Sequence, residues 1–241
     1  MSEKDERLKE RIFKISNFLL GLEAKNMEID KSKENMDRLH KAQDFMIRQF
    51  EDNKENFIEI KIPGYVFEKI MDFSKDVANF KKTEGHKQYT DKDSIYIINN
   101  FLVGVCCEYA TLRWLDKEYL LDLGVGRVKD FNFADLRFAD LDIGVKASKI
   151  GNAPLVYKNP VRPEIICTCK PSFTKNESGV WEISKIESVY ICGLATIETL
   201  KRYQDINFLI DKDSKQATYK SGFYGYIHLT YPQELKKQLM R

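Results

Sequence analysis

The chain is short of histidine, has no cysteine pair at metal-binding spacing and carries little net charge. Each shortage narrows its chemistry. Three histidines, His40, His86 and His228, are scattered over 241 residues, so no histidine triad is legible. The five cysteines include no Cys-x-x-Cys, the spacing that a zinc or iron–sulfur site needs. Cys106, Cys107, Cys167, Cys169 and Cys192 all sit in apolar contexts and are expected to be buried, reduced thiols. With the charged start Met1-Ser2-Glu3-Lys4-Asp5, this gives the expectation of a cytoplasmic protein. No Gly-x-Gly-x-x-Gly or Walker loop is present, which argues against dinucleotide and nucleoside triphosphate binding. No run approaches 18 apolar residues, so no membrane span and no membrane partner are expected. Lys and Arg total 39 against 37 Asp and Glu, a net charge of +2, so any nucleic-acid contact must come from local clustering.

What is present is an ordinary globular composition. Hydrophobic residues make up 43% and charged residues 32%, enough apolar side chains for a sizeable core. Residues 1–55 read as a polar helical extension. Leu8, Ile12, Ile15, Phe18, Leu19 and Leu22 keep helical spacing, and Met36, Leu39, Phe45, Met46 and Phe50 form a second set. This extension is either a hairpin packed on the main domain or an arm for dimerisation.

Residues 56–241 read as one α/β domain. Phe57 to Ile62 alternates apolar and polar residues as a strand does, and Pro63 ends it. A helix carries Val66, Ile70, Phe73 and Val77, and Lys81 to Asp93 is expected to be a loop. A second helix spans Ser94 to Leu115. On it Glu108 follows Phe101 by two turns and is expected to face inward. Strand-like stretches follow at residues 131–143, 145–148, 164–169 and 189–195, then a short helix at 197–203. Gly222 to Ile227 is an aromatic, glycine-punctuated edge strand or packed loop. The pattern predicts a mixed central sheet flanked by helices.

Within it, Asp140 and Asp142 stand two apart, so an extended strand would aim both the same way. Paired carboxylates suit Mg2+ or Mn2+, and Lys146, between Val145 and Ala147, would stabilise developing charge or orient a water. The plain alternative is two surface aspartates and a lysine reaching solvent. Lys82 and Lys87 lie in one basic stretch; Lys149, Asn152, Lys158 and Arg162 lie in another, rich in Gly and Pro. Such side chains beside a site could contact DNA phosphates or base edges, or simply be solvated.

The order of these pieces resembles the PD-(D/E)xK nuclease superfamily, restriction-endonuclease-like proteins. Four stretches carry the resemblance: Gly104 to Glu108, Ala139-Asp140-Leu141-Asp142, Val145-Lys146-Ala147-Ser148 and Val189 to Ala195. It covers roughly residues 57–210 and implies a four-stranded mixed core sheet with a divalent-metal site at one edge. It also implies a Mg2+-dependent DNA endonuclease, plausibly of the type II restriction kind, hydrolysing phosphodiester bonds in duplex DNA and a homodimer if it cuts symmetrically. Asp140, Asp142 and Glu108 would then be metal ligands and Lys146 the catalytic lysine. One position departs from the pattern: the acid two residues before the lysine is replaced by Gly144. Asp142 fills that role if a turn at Gly144 brings it near Lys146. Otherwise the chain is an inactive nuclease-fold protein that binds DNA or regulates.

Overall fold

A strand with a layer on each side needs apolar residues in both directions, and residues 164–169 supply them. Glu164-Ile165-Ile166-Cys167-Thr168-Cys169 is buried at all six positions and opens β4 (Glu164–Lys175). The computed structural model describes residues 33–84, 91–124, 136–138, 141–154, 160–202, 206–210, 217–221 and 225–239. In it, β4 lies mid-sheet between β3 (Leu141–Lys149) and β5 (Trp181–Ala195). β1 (Ile58–Lys61) closes one edge and the short β2 (Leu136–Phe138) the other, giving the order β1-β5-β4-β3-β2. β3 and β4 run parallel and the remaining pairs antiparallel, so the sheet is mixed, as expected. A separate hairpin joins β6 (Ile206–Ile210) to β7 (Ala217–Ser221).

The helices divide between the two faces of the sheet. α1 (Lys33–Asn53), α2 (Gly64–Glu84) and α3 (Asp91–Trp114) precede β2, while α4 (Ile197–Arg202) and α5 (Pro232–Leu239) follow β5. One core joins Val66, Ile70 and Val77 of α2 and Leu102, Cys106 and Ala110 of α3 to Ile143, Val145, Ile165 and Cys167. The other joins Met46 and Phe50 of α1 to Phe57, Ile166, Cys192, Leu200 and Tyr226. Alternation along β3 and the buried half of β4 therefore sends odd and even residues to different layers, whereas β5, whose register on β4 shifts three times, does not keep one parity per layer.

Local chemistry sets the helix ends. The carbonyl of Pro63 accepts from the amides of Val66 and Phe67, each at 3.0 Å, so α2 starts at the proline that stopped β1. α3 ends where Asp116 turns left-handed at φ 57° and the Lys117 amide returns to the Leu112 carbonyl at 2.8 Å. Lys236 of α5 caps the same end, its Nζ donating to the Trp114 carbonyl at 2.7 Å. Asn99 ties α3 to the sheet: its amide donates to the Trp181 carbonyl at 3.2 Å and accepts from the Ile183 amide at 2.9 Å.

Several expectations change. Lys81 to Asp93 is not one loop, because α2 runs to Glu84 and α3 starts at Asp91. β4 and β5 extend well past their buried halves into an exposed hairpin around Gly179 (φ 74°). Tyr226 sits fully buried in a short 3-10 turn, Tyr226–His228, so of the two readings of the aromatic stretch its described end takes the packed loop. A membrane-length apolar stretch does exist: Ser94–Trp114 has a mean hydropathy of 1.4. The sequence reading missed it because Asn99, Asn100 and Glu108 interrupt the apolar run. Within the fold this helix packs against α2, β3 and β5 and supplies much of the first core. Of the expected helical extension, α1 is seen, and residues 1–32, where the first set of helically spaced apolar residues lies, are outside the described residues.

Candidate functional site

The site is built where the two parallel strands begin. The register of β3 on β4 sets Gly144 beside Glu164, Lys146 beside Ile166 and Ser148 beside Thr168. Ile166 belongs to the core under α1, so these even-numbered residues face away from α3. β3 leaves through a crossover at residues 150–163, about the shortest that can return to a parallel start. The Ile150 amide donates to the Cys169 carbonyl at 2.8 Å, and the Gly144 amide donates to the Pro163 carbonyl at 3.0 Å. Both ends of the crossover are thus stitched into the ladder, which delivers Arg162 and Glu164 next to β3.

Three charges meet there. Glu164 Oε1 lies 4.0 Å from Lys146 Nζ and 3.9 Å from Arg162 Nε. The Glu164 side chain is 5% exposed, and those of Lys146 and Arg162 are 18% and 17% exposed. Two cations at this range offset part of the cost of burying a carboxylate. It has room because residue 144 has no side chain. A Cβ built on Gly144 would overlap Glu164 Oε2 and stand 2.6 Å from the carboxyl carbon and 2.9 Å from Oε1. The constraint at Gly144 is one of space rather than backbone conformation: it is not among the residues with positive φ, and a Cβ there would make the Glu164 carboxylate shift.

The expected site residues are only partly brought together. Lys146 is half-buried on the face that carries Glu164. Asp142 shares that face but is exposed, and no turn forms at Gly144: β3 is continuous from Leu141 to Lys149. Four residues of strand separate Asp142 from Lys146, roughly 13 Å of backbone, so Asp142 does not fill the acid position beside the lysine. Glu108 is half-buried rather than in the core, and α3 carries it on the opposite side of the sheet from Lys146 and Glu164. Asp140 lies outside the described residues. Among the described residues, no three His, Cys, Asp or Glu side chains gather as a metal cluster.

The expected DNA contacts also change character. Arg162 is no free loop cation but a partner of Glu164. Lys149 ends β3 on the other face, its Nζ 5.1 Å from the centre of the Phe173 ring. Burial lowers its ammonium pKa, opposed by the neighbouring Cys169. Asn152 forms the turn after β3, its amide donating to the Lys149 carbonyl at 2.8 Å. Lys82 sits in the last turns of α2 rather than in a loop. Lys87 and Lys158 lie outside the described residues.

Glu164 is the residue that sequence reasoning passed over, reading it only as part of the strand at 164–169. Its signal was present: an acid opening a six-residue buried run cannot be an ordinary solvated carboxylate. Which glycine would house it depends on the parallel register, which local sequence does not encode. The thiols meet their expectation. All five are free and buried, and burial pushes Cys106, Cys107 and Cys192 well above the ordinary thiol range. Comparison with protein-family models, curated proteins and solved structures finds no match to this chain.

Proposed function

We propose that the protein is a divalent-metal-dependent deoxyribonuclease whose centre lies at the start of β3 and β4. The observation that carries this reading is the pair formed by Lys146 and Glu164, a half-buried lysine and a buried carboxylate 4.0 Å apart on one sheet face. A lysine so placed can steady the charge that grows on a phosphate during hydrolysis or orient the attacking water. Asp142, exposed on the same face, and Asp140 are the proposed carboxylates toward Mg2+ or Mn2+. When bound, such an ion would acidify a water and offset phosphate charge. Glu108 is left out of this set because its helix covers the other face. DNA is the proposed substrate, and of the expected contacts Arg162 lies in the site itself.

A second reading is favoured by one specific feature. Glu164 Oε1 is held by two cations at once, Lys146 and Arg162, an arrangement that balances its charge without a metal. A nuclease-fold protein that binds DNA without cutting it would keep such a triad. Incubation of the chain with unmethylated plasmid and phage DNA in Mg2+ or Mn2+, with EDTA controls, separates the two. Discrete, chelator-sensitive fragments that disappear in Lys146→Ala support the nuclease. Intact DNA in every lane together with retained DNA binding supports the second reading.

A further inference from the structure

Large apolar side chains exposed singly are ordinary on a protein surface. Here three stand together. Tyr65, Tyr119 and Leu120 are 63%, 76% and 54% exposed. Tyr65 lies in the first turn of α2, and Tyr119 and Leu120 belong to the 3-10 turn Glu118–Leu120 that follows α3. Arg113, in the last turn of α3, ties the group together. Its Nη1 donates to the Tyr109 hydroxyl at 3.2 Å and lies 3.8 Å from Glu118 Oε1. The Tyr109 hydroxyl raises the guanidinium pKa most, and Glu118 and Tyr65 add to the rise, so Tyr65 shares this neighbourhood. Among the described residues, Nε and Nη2 of Arg113 make no hydrogen bond or ion pair, which leaves that edge of the fork for a further carboxylate.

We propose that this patch is the surface through which two copies of the chain pair about a two-fold axis, Arg113 of each meeting the partner's Glu118. A patch that meets itself must carry both signs of charge. Arg113 and Glu118, with side chains 47% and 44% exposed, supply one of each. A wholly acidic or wholly basic partner would face one like charge, and a nucleic-acid backbone would face Glu118, whereas a second copy rotated onto the patch satisfies both. Within one chain the pair stands at 3.8 Å, longer than a hydrogen-bonded ion pair, so pairing replaces a loose contact with two closer ones across the axis. Two tyrosines and an arginine are also the side chains enriched where protein interfaces bind most strongly. The patch belongs to the layer of α2 and α3, opposite the face of Lys146 and Glu164, and the inference is independent of the nuclease reading.

Sedimentation velocity on the full chain over a concentration series reads the pairing, with thermal unfolding to check that each variant folds. The parent should pass from monomer to dimer as concentration rises. Leu120→Asp should weaken pairing more than about tenfold, because it buries an unpaired charge in the contact. Arg113→Glu and Glu118→Arg should each be monomeric alone, since each sets like charges against one another across the axis. An equimolar mixture of those two variants restores both opposite-charge pairs and should dimerise as the parent does. Should Arg113→Glu fail to fold, Leu120→Asp and Glu118→Arg decide: a dimer lost in both supports the interface, and a dimer kept in either overturns it. A parent that stays monomeric up to about 0.1 mM overturns the proposal, and if it instead binds a single-stranded oligonucleotide through Tyr119 the patch is a nucleic-acid face. Dimers unchanged in Leu120→Asp put the interface elsewhere and overturn it too. Loss in both charge variants without recovery in their mixture overturns the two-fold pairing.

Discussion

Ile165 and Glu164 are neighbours on one strand and live in different chemistries. Ile165 is fully buried among α2 and α3 side chains and four thiols, a layer without buried charge. Glu164 is nearly as buried but turns the other way, to a layer where Lys146, Arg162, Ser148 and Thr168 intrude on aromatic packing. Phe50 packs on Tyr190 and Phe57 at 5.1 and 5.7 Å, and Tyr226 packs on Phe57 at 5.2 Å. Burial pushes the Tyr226 hydroxyl well above its ordinary range, while Thr168 and Ser148 pull it back. An apolar layer can be rebuilt from many residues of similar volume. A layer with buried charge has few alternatives, because each charge must keep its partners. The site therefore belongs to the face that composition makes harder to build.

The largest expected effect comes from cutting into either layer at its centre. Ile165→Ala should cost about 2–5 kcal/mol and Tyr226→Ala about 3–5 kcal/mol in urea unfolding, with neither changing in salt. Equal, salt-dependent losses would erase the contrast between the faces. Next in size, Gly144→Ala should cost about 1–3 kcal/mol through overpacking against Glu164. In a Glu164→Gly background the same change should cost almost nothing, so a double-mutant cycle reads the coupling directly. Additive losses would show that the carboxylate moves aside freely. The thiols give a kinetic contrast: all five should resist an aromatic disulfide reagent in the native state and all five should react in denaturant. Fast labelling of any native thiol would place it nearer solvent than the apolar layer allows.

The smallest effect concerns Lys149, at the margin between the layers. Its folded pKa is lowered by burial, so the unfolded chain binds the proton more readily. Folding stability contributed by this group is therefore poorest at neutral pH and rises as pH climbs through the folded pKa toward the unfolded value of about 10.4. Lys149→Met should raise Tm slightly at neutral pH, and the gain should shrink in alkaline buffer. A gain that grows with pH would give the opposite sign to the shift.

Much of the fold was legible because periodicity reports burial. The run at 164–169, the alternation at 57–62 and the helical spacing from Val66 to Val77 each appear as the element they predict. Boundaries slipped where polar residues continue an element into solvent, as in the last turns of α2 and the outer hairpin of β4 and β5. The site was harder to read. Lys146 stood out because a lysine between Val145 and Ala147 is unusual in a buried strand, and the strand is indeed half-buried there. Asp142 was given the acid role by sequence nearness, and a straight strand withholds it. Glu108 was placed by helix period as an inward residue, but the period does not say which side of a sheet the helix will cover.

Sequence alone determined the element types, the two-sided burial of the central strands and the buried state of the thiols. These follow from side-chain pattern within a few neighbouring residues. Tertiary structure decided which strands lie side by side, which face each helix covers and where Glu164 sits. The parallel register that sets Gly144 beside Glu164, twenty residues on, is a long-range contact that no local pattern specifies.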